Sequence, residues 1–365
     1  MSGHVTATEP ALEVPAARGG GPRPSLPPVP PRVRRALRWV VVVAAAVAIY
    51  AAFLVANGAD PIVVLRAMWR SALGDANGIG ETLVRATPLL LAALAVAVPA
   101  RGGLFNIGGE GQLLVGAMAA VGASQVVGAG TAGVVAVLVM AGAGMVAGAL
   151  WALVPALLKV GLATNEAITT LLSNYLAGLV LTWLVFGPWK DPASLGQAYS
   201  ERLPDAHRLP IMWGNRVHVG IVVAVVVAGA VWLLLRKTAW GFQLRAVGGN
   251  PEAARRAGLR VGELRVQALV FGGALAGLGG MIEVAGVEAR LRPDMLLGFG
   301  FIGFLVSWLG RHHPLKAIGG AVALGAIAVG GNGLKLASGL SGSAVNILMA
   351  VLLLAVLGWA PRKDA

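Results

Sequence analysis

Long apolar runs separated by short polar connectors constrain this 365-residue chain more than any other feature of its sequence. About ten runs occur, most of them close to the ~20 residues that an α-helix needs to cross a bilayer core. A segment in that core has no water to bond and must satisfy its own backbone, as a helix does. A mean hydropathy of +0.78 is also far above that of soluble domains. The sequence therefore predicts an all-α, polytopic bundle of transmembrane helices.

The predicted membrane segments follow one another along most of the chain. They lie near residues 37–56, 82–100, 104–127, 131–158, 162–187, 217–235, 263–285, 298–310, 314–335 and 341–360. The eighth is too short for a straightforward span and rich in glycine, which predicts a broken or re-entrant helix covered by its neighbours. Segment 60–78 carries Arg66, Trp69 and Arg70 among apolar residues, and this mixture is typical of a helix lying in the membrane interface.

Glycine accounts for 52 residues, about twice its usual ~7% share. Small residues spaced four apart allow two membrane helices to pack with their backbones close together. The pairs Gly144/Gly148 and Gly273/Gly277 have this spacing. They predict close helix contacts at both places.

Basic residues lie mostly in the connectors and determine the predicted orientation. The net charge is +13, and most lysines and arginines fall on the side of the N-terminus when the chain crosses ten times. Because such residues favour the cytoplasmic side, both termini are predicted to be cytoplasmic. The loop at 188–216 is then outside and the connector at 236–262 inside. This distribution also argues against nucleic-acid binding as the reason for the charge.

Two regions of different composition divide the chain. Residues 1–35 are rich in proline, glycine and arginine and lack an apolar run, which predicts a disordered cytosolic tail. Residues 36–361 contain all the apolar runs and form the predicted transmembrane domain.

Enzyme chemistry finds little support in the sequence. Cysteine is absent, which excludes a thiol nucleophile and a thiolate metal site. The five histidines lack zinc-binding spacing, and the glycine-rich stretch 330–335 lacks the phosphate-loop pattern. We therefore predict no catalytic residue, metal site or cofactor in this chain. Energy for active transport would have to come from another chain or from an ion gradient.

The stretch 102–112 places Asn106, Glu110 and Gln112 in an apolar, glycine-loosened segment. A polar group without a partner in hydrocarbon costs several kcal/mol, and polar residues at this depth often mark transport pathways. One interpretation is a hinge or half-helix that lines a permeation path. The other is a polar contact between helices, with Glu110 pairing to Arg101 or to another helix.

A second polar group follows in the run 162–187. Asn165 or its neighbour Thr164 is suited to cap the next helix, with Glu166 near its positive end. Asn174 and Tyr175 fall about two turns deeper. They are suited either to hydrogen-bond and stack on a planar polar ligand or to bridge helices. Asn332 and Asn346 in the last two runs leave the same two interpretations open.

The inner connector contains a predicted short helix. Asn250 is a suitable N-cap, Pro251 suits the first turn and Glu252 the positive helix end. Ala253 and Ala254 continue the helix. Gly258 is suited to end it. Such a helix could dock into the groove of a soluble partner, or its arginines could hold it against lipid head groups.

Four segments of the chain, in order, resemble one family of membrane proteins. Residues 103–112, Gly-Leu-Phe-Asn-Ile-Gly-Gly-Glu-Gly-Gln, resemble the hallmark of nucleoside-type permeases of ABC importers, in the group that contains ribose and branched-chain amino acid permeases. Segments 164–175, 245–254 and 298–314 resemble further parts of that family in the same order. The resemblance covers most of the chain from about residue 60 onward.

The resemblance implies a working arrangement in the bacterial cytoplasmic (inner) membrane. Two permease chains, identical or homologous, would enclose one path within the membrane lipids, and two cytosolic ABC ATPase subunits would bind ATP and Mg and supply the energy. An extracytoplasmic substrate-binding lipoprotein would deliver the cargo. Asn250, Pro251, Glu252, Ala253, Ala254 and Gly258 would belong to the segment that docks on the ATPase. Asn106, Glu110, Gln112, Asn174 and Tyr175 are the expected substrate-pathway residues.

The expected function is the import of nucleosides by a multi-pass permease, with simple sugars such as ribose as the alternative cargo. A secondary transporter driven by an ion gradient is a rival from another class. It predicts inverted repeats and a buried acidic pair, and neither is evident in the sequence. A membrane enzyme would need a clustered acid, base or metal set, which is equally absent from the sequence.

Overall fold

The computed structural model describes residues 31–213, 216–293, 295 and 298–358. Within these ranges the regular secondary structure is helical, and the strand-like pairings are the isolated bridges Lys190–Ser200 and Ile211–His218. The all-α prediction is confirmed for the described residues. Most of the tail predicted over 1–35 lies outside them. The chain divides into residues 1–41 and a compact unit that begins at Val42, to which every contact given below belongs.

The helices follow one another with short connections. They are α1 Pro31–Ala56, α2 Pro61–Leu73, α3 Ala76–Arg101, α4 Gly109–Val127, α5 Gly133–Gly161, α6 Glu166–Phe186, α7 Gly220–Lys237, α8 Ala239–Gly249, α9 Pro251–Arg256, α10 Val261–Glu283, α11 Phe299–Leu309, α12 Pro314–Ser338 and α13 Val345–Gly358. A π-helical turn, Val284–Glu288, continues α10, and short 3₁₀ turns cover Asp205–His207 and Gly342–Ala344.

Six of the described helices are long and apolar enough to cross a membrane, namely α3, α5, α6, α7, α12 and α10 with its π-helical turn. The end of α1 and α2 are bent by 115° at a short break and would together make a seventh span. The chain is thus a multi-pass membrane protein. The number of ten segments and the side of the termini stay predictions. The eighth predicted segment corresponds to the short apolar helix α11.

Helix α10 packs against α3, α4 and α5 in the interior of the bundle. The two predicted glycine pairs face each other there. A Cβ atom added at Gly277 would collide with the carbonyl oxygen of Gly144, and one added at Gly273 with that of Gly148. The glycines therefore allow α5 and α10 to approach at backbone distance, as the spacing predicted.

The short helix α11 packs between α3, α4 and α12. Gly300 lies so close to Glu110 that a Cβ atom would collide with the backbone of that residue, and Gly303 is equally close to Ala92. Gly298, just before α11, has a φ of 87°, a left-handed conformation that glycine adopts at little cost. These contacts place the start of α11 directly against the start of α4.

Candidate functional site

The connector between α3 and α4, residues 102–108, is irregular backbone inside the bundle; the Asn106 side chain bonds to backbone groups there and is itself held by Gln112. Asn106 Nδ2 donates to the carbonyl of Ala95 and to Gln112 Oε1, both at 3.0 Å. Its Oδ1 accepts from Gly108 N and from Gln112 Nε2, both at 3.1 Å. Asn106 and Gln112 are fully buried. All four hydrogen-bonding positions of the Asn106 amide are filled, so this side chain has none left for a solute.

Helix α6 holds the same connector from the other side. Asn174 Oδ1 accepts from Gly111 N at 2.8 Å, and its Nδ2 donates to the carbonyl of Ile107 at 2.9 Å. Thr170 Oγ1 accepts from Ile107 N at 3.2 Å. The structure thus brings Asn174 to the Asn106 cluster, as a bridge between helices. Tyr175 is 67% exposed, while Asn174 next to it is buried, so the tyrosine is not part of this cluster.

The carboxylate of Glu166, at the start of α6, also bonds to neighbouring protein groups. Glu166 forms an ion pair with Lys159, with 2.8 Å between Oε2 and Nζ, and accepts from Phe105 N at 3.4 Å. Asn165 caps α6 by accepting from Ala167 N at 2.9 Å, which confirms the predicted cap. The ion pair joins α5 to α6, and the connector is held on the α6 side by hydrogen bonds to Glu166, Thr170 and Asn174.

Glu110 links the start of α4 to the start of α11. Its side chain is 7% exposed, and Oε2 accepts from Gly298 N at 3.0 Å. The carboxylate also lies in the first turn of α4, where the helix dipole favours negative charge. Of the two partners considered for Glu110, the structure shows the other helix; Arg101 instead donates to the carbonyl of His312 at 2.9 Å.

The predicted short helix in the connector after α7 is present as α9. Asn250 Oδ1 accepts from Ala253 N at 3.0 Å, Pro251 occupies the first turn, and Gly258 follows the helix end with a φ of 85°. The predicted cap, start and end are confirmed. Glu252 forms ion pairs with Arg255 and Arg256 on the exposed side.

The buried side of α9 joins it to its neighbours. Ala254 packs with Val247 of α8 and with Val261 and Leu264 of α10 in a small apolar cluster. Helix α8 in turn contacts the end of α3, where a Cβ atom added at Gly248 would collide with the carbonyl of Arg101. The exposed face of α9 is therefore connected to residues 102–108 through a few tightly packed contacts.

A cavity that the sequence did not predict lies near the other end of α3. Its volume is about 240 Å³, and Arg85, Phe299, Asn332 and Asn346 are among its lining residues. The guanidinium carbon of Arg85 lies 4.9 Å from the centre of the Phe299 ring. We call it the Arg85 cavity. The sequence signals for it were Arg85, at the start of a predicted membrane segment, and Asn332 and Asn346, for which contact with a ligand was one of the two interpretations.

The described residues offer no metal site, since they contain no group of three His, Asp or Glu side chains that could hold an ion. The polar groups described above lie instead at the connector, at α9 and at the Arg85 cavity.

Known proteins similar to this chain are permease components of transport systems. Residues 78–357 match the family described as branched-chain amino acid transport system / permease component. The chain is 36% identical to the glucose ABC transporter permease protein of Haloferax volcanii, over 86% of this chain and 85% of that protein. It is 34% identical to the guanosine ABC transporter permease protein of Bacillus subtilis, over 80% of this chain and 84% of that protein.

A third relative is the nucleoside ABC transporter permease protein of Lactococcus lactis, 29% identical over 78% of this chain and 80% of that protein. No solved structure matches the chain. The family match covers well over half of the residues and includes the connector, α9 and the Arg85 cavity. The chain therefore belongs to the branched-chain amino acid transport system permease family and is a permease subunit of an ABC transporter.

Proposed function

We propose that this permease imports nucleosides, using ATP hydrolysis on a separate subunit. The observation that carries the proposal is the match, over about four fifths of the chain, to permeases named for guanosine and for nucleosides. Simple sugars are the second candidate cargo, because a relative with 36% identity is named a glucose permease. Membership of an ABC permease family removes the main reason to consider a carrier driven by an ion gradient.

The partners follow the arrangement of ABC permeases. A cytosolic ATPase would bind ATP and Mg, a second permease would complete the path, and an extracytoplasmic lipoprotein would deliver the solute. The chain would lie in a bacterial cytoplasmic membrane with both termini inside. The loop at 188–216 would face the lipoprotein. This orientation rests on the distribution of basic residues along the sequence.

The exposed face of α9 is the proposed docking surface for the ATPase. Glu252, Ala253 and Gly258 are exposed there, and the helix is fixed from behind by Ala254. A displacement of α9 would move α8 through the apolar cluster. Helix α8 would then displace Arg101 and the connector through the close contact at Gly248. The connector is internally bonded, so it would move as a rigid unit with the starts of α4 and α11.

The pathway residues take different parts in this proposal. Asn106, Gln112 and Asn174 would brace the connector beside the path, since their amides are occupied by protein groups. Glu110 would couple α4 to α11 through Gly298. Tyr175, exposed on α6, would face the second permease or the lipid.

The test is uptake of labelled guanosine and labelled glucose by cells that express the complete importer, with wild type compared to Glu252→Arg combined with Gly258→Trp. We expect guanosine uptake in wild type, loss of uptake in the variant, and loss of the ATPase from the purified variant complex. Ala132→Trp, outside the α9 surface, is the matched control for a bulky substitution. Uptake of glucose alone would show that a simple sugar is the cargo. Uptake of neither solute would contradict both candidates.

A further inference from the structure

We infer that the Arg85 cavity is a contact site for the sugar ring of a neutral solute, the chemical group that a nucleoside and glucose share. The inference rests on the proposed import function and adds a place within the chain where the solute is held. It concerns α3, α11, α12 and α13, away from the connector.

The cavity lies between α3, α11, α12 and α13, and its polar lining residues Arg85, Asn332 and Asn346 are exposed. Arg85 is nine residues into α3, which corresponds to ~13 Å of helix rise from its first residue. Buried Phe299 and Leu89 and half-buried Ile302 form apolar parts of the wall. The Arg85 guanidinium lies over the Phe299 ring, an arrangement that helps to hold an arginine in place by cation–π attraction. An apolar wall with a few fixed polar groups is typical of small-molecule sites.

Two amides in the lining have no hydrogen-bond partner among the residues that the structure describes. Neither Asn332 nor Asn346 makes a side-chain hydrogen bond within the described part of the chain, and both are exposed. Each amide offers a carbonyl acceptor and two N–H donors, and Arg85 adds further donors. Vicinal hydroxyl groups both donate and accept, so they can bond to both kinds of group. Phosphate or carboxylate groups would use only the donors.

The size of the cavity restricts the group that it can hold. Sites for drug-sized ligands usually span ~300–1,000 Å³. The Arg85 cavity, at about 240 Å³, lies below that range. It therefore suits one ring of the solute, and the rest of a nucleoside would extend beyond the mouth of the cavity.

The absence of cysteine from the natural chain allows a direct test. Asn332→Cys and Asn346→Cys each introduce a single thiol, which can be labelled with a maleimide in the complete importer, reconstituted in nanodiscs with its loaded or empty binding protein. Both membrane faces are accessible there, so the outcome does not depend on orientation. Asn57→Cys is the matched control, because Asn57 is exposed after α1 and does not line the cavity.

We expect solute to slow labelling at both cavity positions, by about tenfold at a concentration about ten times its apparent Kd, with no change at Asn57→Cys. Protection by guanosine alone, by glucose alone or by both shows which solute places its sugar ring in the cavity. Each of these results supports the site. Unchanged labelling in an importer whose wild type takes up either solute would overturn the site and leave the import function intact. Absence of uptake by wild type would remove the proposed function and this assignment with it.

Uptake by alanine variants supplies an independent measurement. Asn332→Ala and Asn346→Ala should each lower uptake at limiting solute by roughly three- to tenfold, the loss expected for one hydrogen bond. Arg85→Gln should have at least this effect, whereas Arg70→Gln, at an exposed position of α2, should have none. The amount of each variant that purifies with the ATPase controls for folding. Full uptake by the two asparagine variants together would contradict the assignment.

Discussion

Asparagines at the two ends of α3 are used in opposite ways. At the connector, Asn106 and Asn174 are buried and bonded to protein atoms on both their oxygen and nitrogen sides. At the Arg85 cavity, Asn332 and Asn346 line an open space and bond to no described residue. The residue type is the same, and both regions belong to the transmembrane bundle. The number of protein partners therefore separates a structural amide from one that is available to a solute.

This difference has a physical reason. An irregular connector inside a membrane protein exposes backbone groups that water cannot reach, so side chains must satisfy them. Asn106 does this for the carbonyl of Ala95 and for Gly108 N, and Gln112 holds the Asn106 amide in place. At the cavity, Asn332 lies inside α12, where the helix pairs its own backbone groups, and neither cavity amide bonds to a backbone group of the described residues. Polar residues at one site hold the fold, and those at the other can be used by the cargo.

The largest effect is expected from Asn106→Ala. The substitution leaves Gln112, Gly108 N and the carbonyl of Ala95 without a partner, and each unsatisfied buried group costs about 1–3 kcal/mol. We expect a marked fall in the unfolding temperature of the purified protein, measured by a thermal-shift assay. Asn332→Ala should leave that temperature nearly unchanged. A stable Asn106→Ala protein that has lost uptake would instead place Asn106 in contact with solute.

A smaller effect is expected where α8 meets the end of α3. Gly248→Ala introduces a methyl group against the carbonyl of Arg101, and overpacking of this kind typically costs about 1–3 kcal/mol. Because this contact joins α9 to the connector, ATP-driven uptake should fall while the ATPase still co-purifies. Gly249→Ala is the matched control, since nothing lies within 4 Å of the added atom. Equal uptake by the two variants would show that movement of α9 does not reach the connector through the contact between Gly248 and Arg101.

The sequence predicted local features well and their partners poorly. The cap of α9, the end at Gly258 and the glycine contacts between α5 and α10 follow from neighbouring residues or fixed spacing, and all are confirmed. The approach of Asn174 to Gly111 joins residues 63 positions apart, and no local rule specifies it. The Arg85 cavity was missed because α3, α11, α12 and α13 contribute to it together.

The smallest effect near neutral pH is expected from the protonation of His312, which makes the stability of the folded protein depend on pH. His312 follows α11 on the connector side of the bundle, and burial together with the nearby Arg101 lowers the pKa of its imidazole from 6.5 to about 4. Between these values the unfolded chain binds the proton more readily than the folded protein does. Stability is therefore fully present above pH 6.5 and falls as the pH drops toward 4, by up to about 3 kcal/mol.

His312→Asn should reduce this loss of stability at acidic pH, measured as the unfolding temperature between pH 7.5 and 4.5. Asparagine suits the position because His312 has a φ of 54°, a left-handed conformation that asparagine tolerates better than most residues. The backbone carbonyl that accepts from Arg101 stays in place. Some dependence on pH should remain, because burial and Arg216 also lower the pKa of His218 to about 4. A variant as sensitive to acid as wild type would show that His312 is already charged in the folded protein, in which case the connector side of α3 would carry one more positive charge beside Arg101.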